Sequence, residues 1–135
     1  MRNIVVISAH PDDEILGVGG TLLKHKKNGD KIYWLIIFEN QGFSKQRISS
    51  RQKEIKKISE ALSVEKVFML NYPTMSLSTS TLIEMVPKIS KIFIEIEPEI
   101  VYCLNRSDAH SDHRITFDAV MACTKSFRYP FIKQV

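Results

Sequence analysis

Apolar and polar positions along this chain fall into two alternating patterns. Short, continuously apolar runs occupy residues 4–8, 32–38, 67–70 and 100–104. Runs of that length, rich in β-branched side chains, predict buried strands covered on both faces. Between them, apolar residues recur at helical spacing. Ile15, Leu16, Val18, Leu22 and Leu23 form one set, with Asp12 or Asp13 placed to cap it and Asn28-Gly29-Asp30 to close it. Residues 47–62 put Ile48, Ile55, Ile58 and Leu62 on one face and lysines opposite. Thr81 with Glu84 has capping-box spacing, ahead of a long face from Leu82 through Met85, Ile89 and Phe93 to Ile96. Pro87 inside that face predicts a kink, and Pro98 ends it. Residues 113–127 read as a last helix, and Phe131-Ile132 as the start of a fifth strand.

Strand and helix alternate throughout, and no repeat or low-complexity segment interrupts them. That order predicts an α/β fold, a Rossmann-like three-layer αβα sandwich on a mostly parallel sheet. The 135 residues suit a single domain, 1–135. An apolar fraction of 44% and a charged fraction of 25% belong to an ordinary globular protein, neither disordered nor membrane-spanning in its bulk. Met1-Arg2-Asn3 and the few apolar residues after it are too short for a signal-peptide core, which predicts a cytoplasmic protein. Cys103 and Cys123 lie in apolar segments and read as free buried thiols. The absence of a Cys-x-x-Cys pair argues against a thiolate metal site.

The net charge of +4 changes this picture little. Lys24, Lys26 and Lys27, and again Lys53, Lys56 and Lys57, read as solvated helix faces. No basic stripe interleaved with aromatics points to nucleic acid. His25 reads as a solvated residue beside Lys24. Gly17-Val18-Gly19-Gly20 lies inside the first helix, not directly after the strand, and does not match a nucleotide-loop pattern. Close packing of that helix on the sheet is the expectation there.

Two loops carry the chemistry. Ala9-His10-Pro11-Asp12-Asp13-Glu14 crowds an imidazole and three carboxylates at a strand-to-helix junction. Asp108-Ala109-His110-Ser111-Asp112-His113 follows the fourth strand. Three of the four histidines lie in these loops. In an open parallel sheet, function collects after the carboxyl ends of strands. The simplest site takes His10, Asp13 and His113 as ligands of a divalent cation that lowers the pKa of a bound water. Asp12 is then the candidate general base. His110 is placed to stabilise an oxyanion or protonate a leaving group, with Asp112 holding it in orientation. No G-x-S-x-G elbow is present, and a covalent nucleophile is disfavoured.

At these residues the chain resembles the PIG-L/LmbE-like family of metal-dependent de-N-acetylases. The A-H-P-D-D-E motif is matched in full by Ala9 to Glu14. The H-x-D-H motif is matched by His110-Ser111-Asp112-His113, with serine where proline is usual. The resemblance implies zinc-dependent removal of an acetyl group from an N-acetylated sugar or glycoconjugate. It implies His10, Asp13 and His113 as zinc ligands, Asp12 as base, His110 as stabiliser of the tetrahedral intermediate and Asp112 as its partner. Arg51-Gln52-Lys53-Glu54 fits an R-x-x-E step, which implies substrate contact by Arg51. The resemblance covers nearly all of this chain but only the N-terminal portion of a usual member. Iron(II) suits the same ligands as zinc. A second reading is an inactive metal-bearing domain for sugar binding or assembly. Oligomeric state is open, a homo-oligomer included. Specificity falls to loops 39–47, 71–80 and 105–109.

Overall fold

Buried strands and amphipathic helices alternate as the apolar pattern requires. The structure, a computed structural model, describes residues 1–39, 44–75 and 79–135. In chain order the elements are β1 (Asn3–Ser8), α1 (Asp13–Lys27), β2 (Lys31–Glu39), α2 (Lys45–Leu62), β3 (Val64–Pro73), α3 (Thr79–Ile96), β4 (Ile100–Tyr102) and α4 (Ser111–Ala122). The strands pair in parallel in the order β3-β2-β1-β4.

Side chains alternate across a strand, so each strand feeds two cores. Val5, Ile7, Leu35, Ile37 and Val101 pack with Met85, Ile89 and Phe93 of α3 and with Ala119 and Val120 of α4. Val6, Ile32, Trp34 and Ile36 pack with Leu22 of α1 and with Ile55 and Leu62 of α2. The result is the three-layer α/β sandwich expected. Each such aliphatic burial is worth roughly 1.5–3 kcal/mol.

The strand order sets where a site can form. The chain winds outward from β1 through β2 to β3, then returns to lay β4 along the other edge of β1. The winding reverses between β1 and β4. In such sheets the crevice outside the carboxyl ends at that reversal is the binding place. The loop carrying His10 and the connection that leads into α4, whose first turn carries His113, both leave the sheet there.

Several expectations need correction. β3 runs well beyond 67–70 and β4 is shorter than 100–104. The fifth strand at Phe131-Ile132 is replaced by a single parallel bridge between Ile100 and Gln134. α4 starts at Ser111 and ends at Ala122, because His110 caps it. α3 starts at Thr79, so Thr81 lies inside the helix and cannot cap it. Pro87 lies within α3, whereas α1 is the helix with a break, at Val18 (φ −134°, ψ 15°).

The glycines around that break make no close approach to the sheet. A side chain at Gly17 or Gly20 would meet nothing, and one at Gly19 would touch only Ile15. Of the apolar set on α1, only Leu22 is buried; Ile15, Leu16 and Leu23 face solvent. Glu14 and His25 are buried instead. His25 is not solvated: its ring bridges Asp30 (2.8 Å) and the Tyr102 hydroxyl (2.9 Å). The loop expected around 39–44 and the end of the 71–79 loop include residues 40–43 and 76–78, outside the described residues.

Candidate metal centre in the β1–β4 crevice

The first loop frees its carboxylates by an unusual backbone. Asp12 takes the N-cap position of α1 at φ 157° and ψ −24°, with no hydrogen bond from its side chain to the helix. An L-residue rarely adopts that conformation, which is the kind of local strain that gathers at functional sites. The exposed Asp12 carboxylate is therefore not occupied in capping. Asp13 turns back instead, its Oδ2 accepting the His10 backbone N–H at 2.9 Å. In the second loop, Asp108 Oδ1 accepts the His110 N–H at 2.8 Å, a turn that asparagine and aspartate favour. His110 then caps α4, its Nδ1 accepting the Asp112 N–H at 3.1 Å.

These two turns bring the motifs together. His10 Nδ1 lies 4.0 Å from Asp13 Oδ2, and His113 Nε2 lies 3.5 Å from the same oxygen. His10, Asp13 and His113 each offer a ligand atom, all within 4.8 Å of one another. A tetrahedral shell with bonds of about 2.1 Å sets its ligand atoms roughly 3.4 Å apart. Two imidazoles and one carboxylate at this spacing fit a divalent cation with a small contraction. The three side chains are 12–15% exposed, so a ligand can reach them. His110 sits against both rings, 4.9 Å between centroids in each case. His10, His110 and Asp112 form a second group of the same tightness.

One assignment shifts. The Asp112 carboxylate lies near His110 but spends its hydrogen bonds on other partners. Its Oδ2 is 2.9 Å from His10 Nε2, and its oxygens accept the Met75 N–H at 3.0 and 3.2 Å. Residues two apart on a helix point in different directions. Asp112, in the first turn of α4, is wholly buried, while His110 at the cap is exposed. What holds His110 is the backbone N–H of Asp112.

Three further groups carry no role in the sequence reading. Asp108 Oδ2 lies 3.0 Å from His113 Nδ1. The His110 N–H and the His113 ring hold its carboxyl below the usual range. The local turn signal Asp-x-His was legible; the pairing with His113 was not. Glu14, 1% exposed, accepts the Ser8 hydroxyl at 2.8 Å and the Asp12 N–H at 3.1 Å. Ser8 Oγ in turn accepts Trp34 Nε1–H at 2.8 Å. Burial pushes the Glu14 carboxyl up, and its Oε1 has no partner among the described residues.

Arg51 donates from Nη1 to the Pro11 carbonyl at 3.0 Å. It thereby stands at the edge of the first loop, beside a shallow pocket that also involves Phe38, Ile55 and Met69. Cys103 and Cys123 are both free, the first half-buried and the second buried. Burial pushes the Cys103 thiol to about 12, which rules it out as a nucleophile near neutral pH.

The chain is similar in sequence and fold to known proteins. A family described as PIG-L, GlcNAc-PI de-N-acetylase, matches residues 5–124. A probable N-acetyl-alpha-D-glucosaminyl L-malate deacetylase 2 of Bacillus anthracis is 26% identical over 130 residues, covering 88% of this chain and 58% of that protein. A diacetylchitobiose deacetylase of Thermococcus kodakarensis is 28% identical over 127 residues, covering 84% of this chain and 46% of that protein. The crystal structure of a conserved protein, TT1542, from Thermus thermophilus superposes with a TM-score of 0.81 at 28% identity, over 91% of this chain and 55% of that one. The chain thus spans about half the length of these relatives. Because the family match takes in both motifs and the strands that deliver them, the chain belongs to the PIG-L, GlcNAc-PI de-N-acetylase family.

Proposed function

We propose that this chain carries the hydrolytic centre of a zinc-dependent N-deacetylase acting on an N-acetylated sugar or glycoconjugate. The observation that carries the reading is the meeting of His10, Asp13 and His113 within 4.8 Å, from segments a hundred residues apart. Family membership and the deacetylase relatives support it.

A divalent cation held by those three residues would polarise the amide carbonyl and make a water more acidic. Asp12, exposed and free of capping, takes the proton from the attacking water. General-base assistance of this kind is worth roughly 10²–10⁴-fold. His110 accepts the Asp112 N–H at Nδ1, so its own proton sits on Nε2 when the ring is neutral. That N–H is the donor available to a carbonyl oxygen as negative charge builds on it. The proton gained by Asp12 then passes to the departing amine, which leaves acetate behind. Arg51, anchored on Pro11, is placed to contact the substrate.

No helix among the described residues is long and apolar enough to cross a membrane. The two free thiols support a place in the reducing cytoplasm. The test is acetate release from N-acetylglucosamine conjugates, with metal content measured on the same protein. Asp12→Ala should abolish release at unchanged metal content; retained release overturns the assigned base. Zinc-loaded against iron(II)-loaded protein decides the ion. Metal without turnover on any conjugate would favour the inactive binding domain.

A further inference from the structure

Both candidate histidine ligands are gripped from behind. His113 presents Nε2 to Asp13, at 3.5 Å, while its Nδ1 lies 3.0 Å from Asp108 Oδ2. His10 presents Nδ1 to the same Asp13 oxygen, at 4.0 Å, while its Nε2 lies 2.9 Å from Asp112 Oδ2. The two rings use opposite nitrogens inward, and each outward nitrogen meets its own carboxylate. A carboxylate acceptor fixes the proton on the outward nitrogen. It thereby leaves the lone pair on the inward one and locks the ring's rotation.

We infer that Asp108 and Asp112 are a matched pair of positioning residues, Asp108 for His113 and Asp112 for His10, which set the inward tautomer of each ring for cation binding. This rests on the metal-centre reading above and deepens it. The two carboxylates are anchored differently. Asp108 is 35% exposed and holds its place through the His110 N–H. Asp112 is wholly buried and also accepts the Met75 N–H, so it ties the segment after β3 to His10. The Asp112 carboxylate therefore serves the ion-binding ring directly. The backbone of the same residue orients His110, so one residue positions two histidines through two different atoms.

The experiment uses the full chain with zinc alone. Imidazole ¹⁵N shifts of metal-free protein report the tautomers, and chelator competition reports zinc affinity. Wild type should show His113 protonated at Nδ1 and His10 at Nε2. Asp108→Asn, at a partly exposed site, should move His113 toward the Nε2 tautomer. It should also weaken zinc about 10-fold, within the 10- to 100-fold range of such outer partners. Asp112→Asn should do the same through His10, with circular dichroism confirming the fold. His113→Ala is the control for the centre itself and should abolish tight zinc binding. If His113→Ala loses zinc while Asp108→Asn leaves tautomer and affinity unchanged, the positioning role is overturned and the metal centre stands. If His113→Ala binds zinc like wild type, the metal centre falls and the positioning role with it.

Discussion

Two histidine–aspartate assemblies sit at opposite ends of the sheet, and they differ in one respect. At the amino end, Arg2 grips Asp30 through Nη2 at 2.8 Å, Asp30 holds His25 Nδ1 at 2.8 Å, and His25 Nε2 meets the Tyr102 hydroxyl at 2.9 Å. Both nitrogens of that ring are consumed by protein partners, and the ring is buried. At the carboxyl end, His10 and His113 each spend one nitrogen on a carboxylate and turn the other toward Asp13. The residue types are the same. A closed network stabilises the fold, because each polar group is satisfied. An open one leaves lone pairs converging on a common centre, which costs stability unless something binds there.

The sharpest way to break this contrast is to remove one ring from each end. His113→Ala should lose bound zinc and at least 100-fold of deacetylase activity, while the metal-free protein keeps its stability to urea within about 1 kcal/mol. His25→Ala should leave zinc content unchanged and cost about 3 kcal/mol, from the cavity and the unpaired Asp30 and Tyr102 groups. Metal analysis and urea titration on both variants check the pair, and an exchange of the two outcomes would reverse the assignment.

The next effect is on acid stability. The Arg2 and His25 side chains hold the Asp30 carboxyl well below its ordinary range. The folded group is then the stronger acid, so the unfolded chain binds more protons as pH falls below its own carboxyl pKa of ~3.9. The stabilisation is present above that pH and is lost as pH falls toward the folded value. Asp30→Asn should therefore lower stability at pH 7 and flatten its decline below about pH 4, measured by urea unfolding against pH. The smallest effect is that of Tyr102→Phe. Removing the hydroxyl from His25 Nε2 should cost about 1 kcal/mol and leave zinc binding untouched.

Much of this was legible in advance, and the failures are instructive. Short apolar runs and period-3.6 patterns identify elements because burial follows them, and the strands ahead of both motifs emerge directly from them. The ends of elements do not. Thr81 has cap spacing but lies inside α3, and α4 begins ahead of His113 because the His110 side chain caps it. α1 misleads most: Leu16 and Leu23 read as core and are exposed, while His25 reads as solvated and is buried, as is the Glu14 carboxylate. Apolarity predicts burial only where no polar partner waits inside. Ser8 waits for Glu14, and Asp30 and Tyr102 wait for His25.

What the amino-acid order alone determined is the alternation of elements, the parallel α/β class and the two motifs, all set by residues near one another in the chain. Which carboxylate serves which histidine was decided only on folding. Those pairings depend on the β3-β2-β1-β4 order and on two loop turns that carry residues 10 and 112 to hydrogen-bonding distance. Local propensity has no term for a partner a hundred residues away; the sheet's reversal beside β1 supplies it.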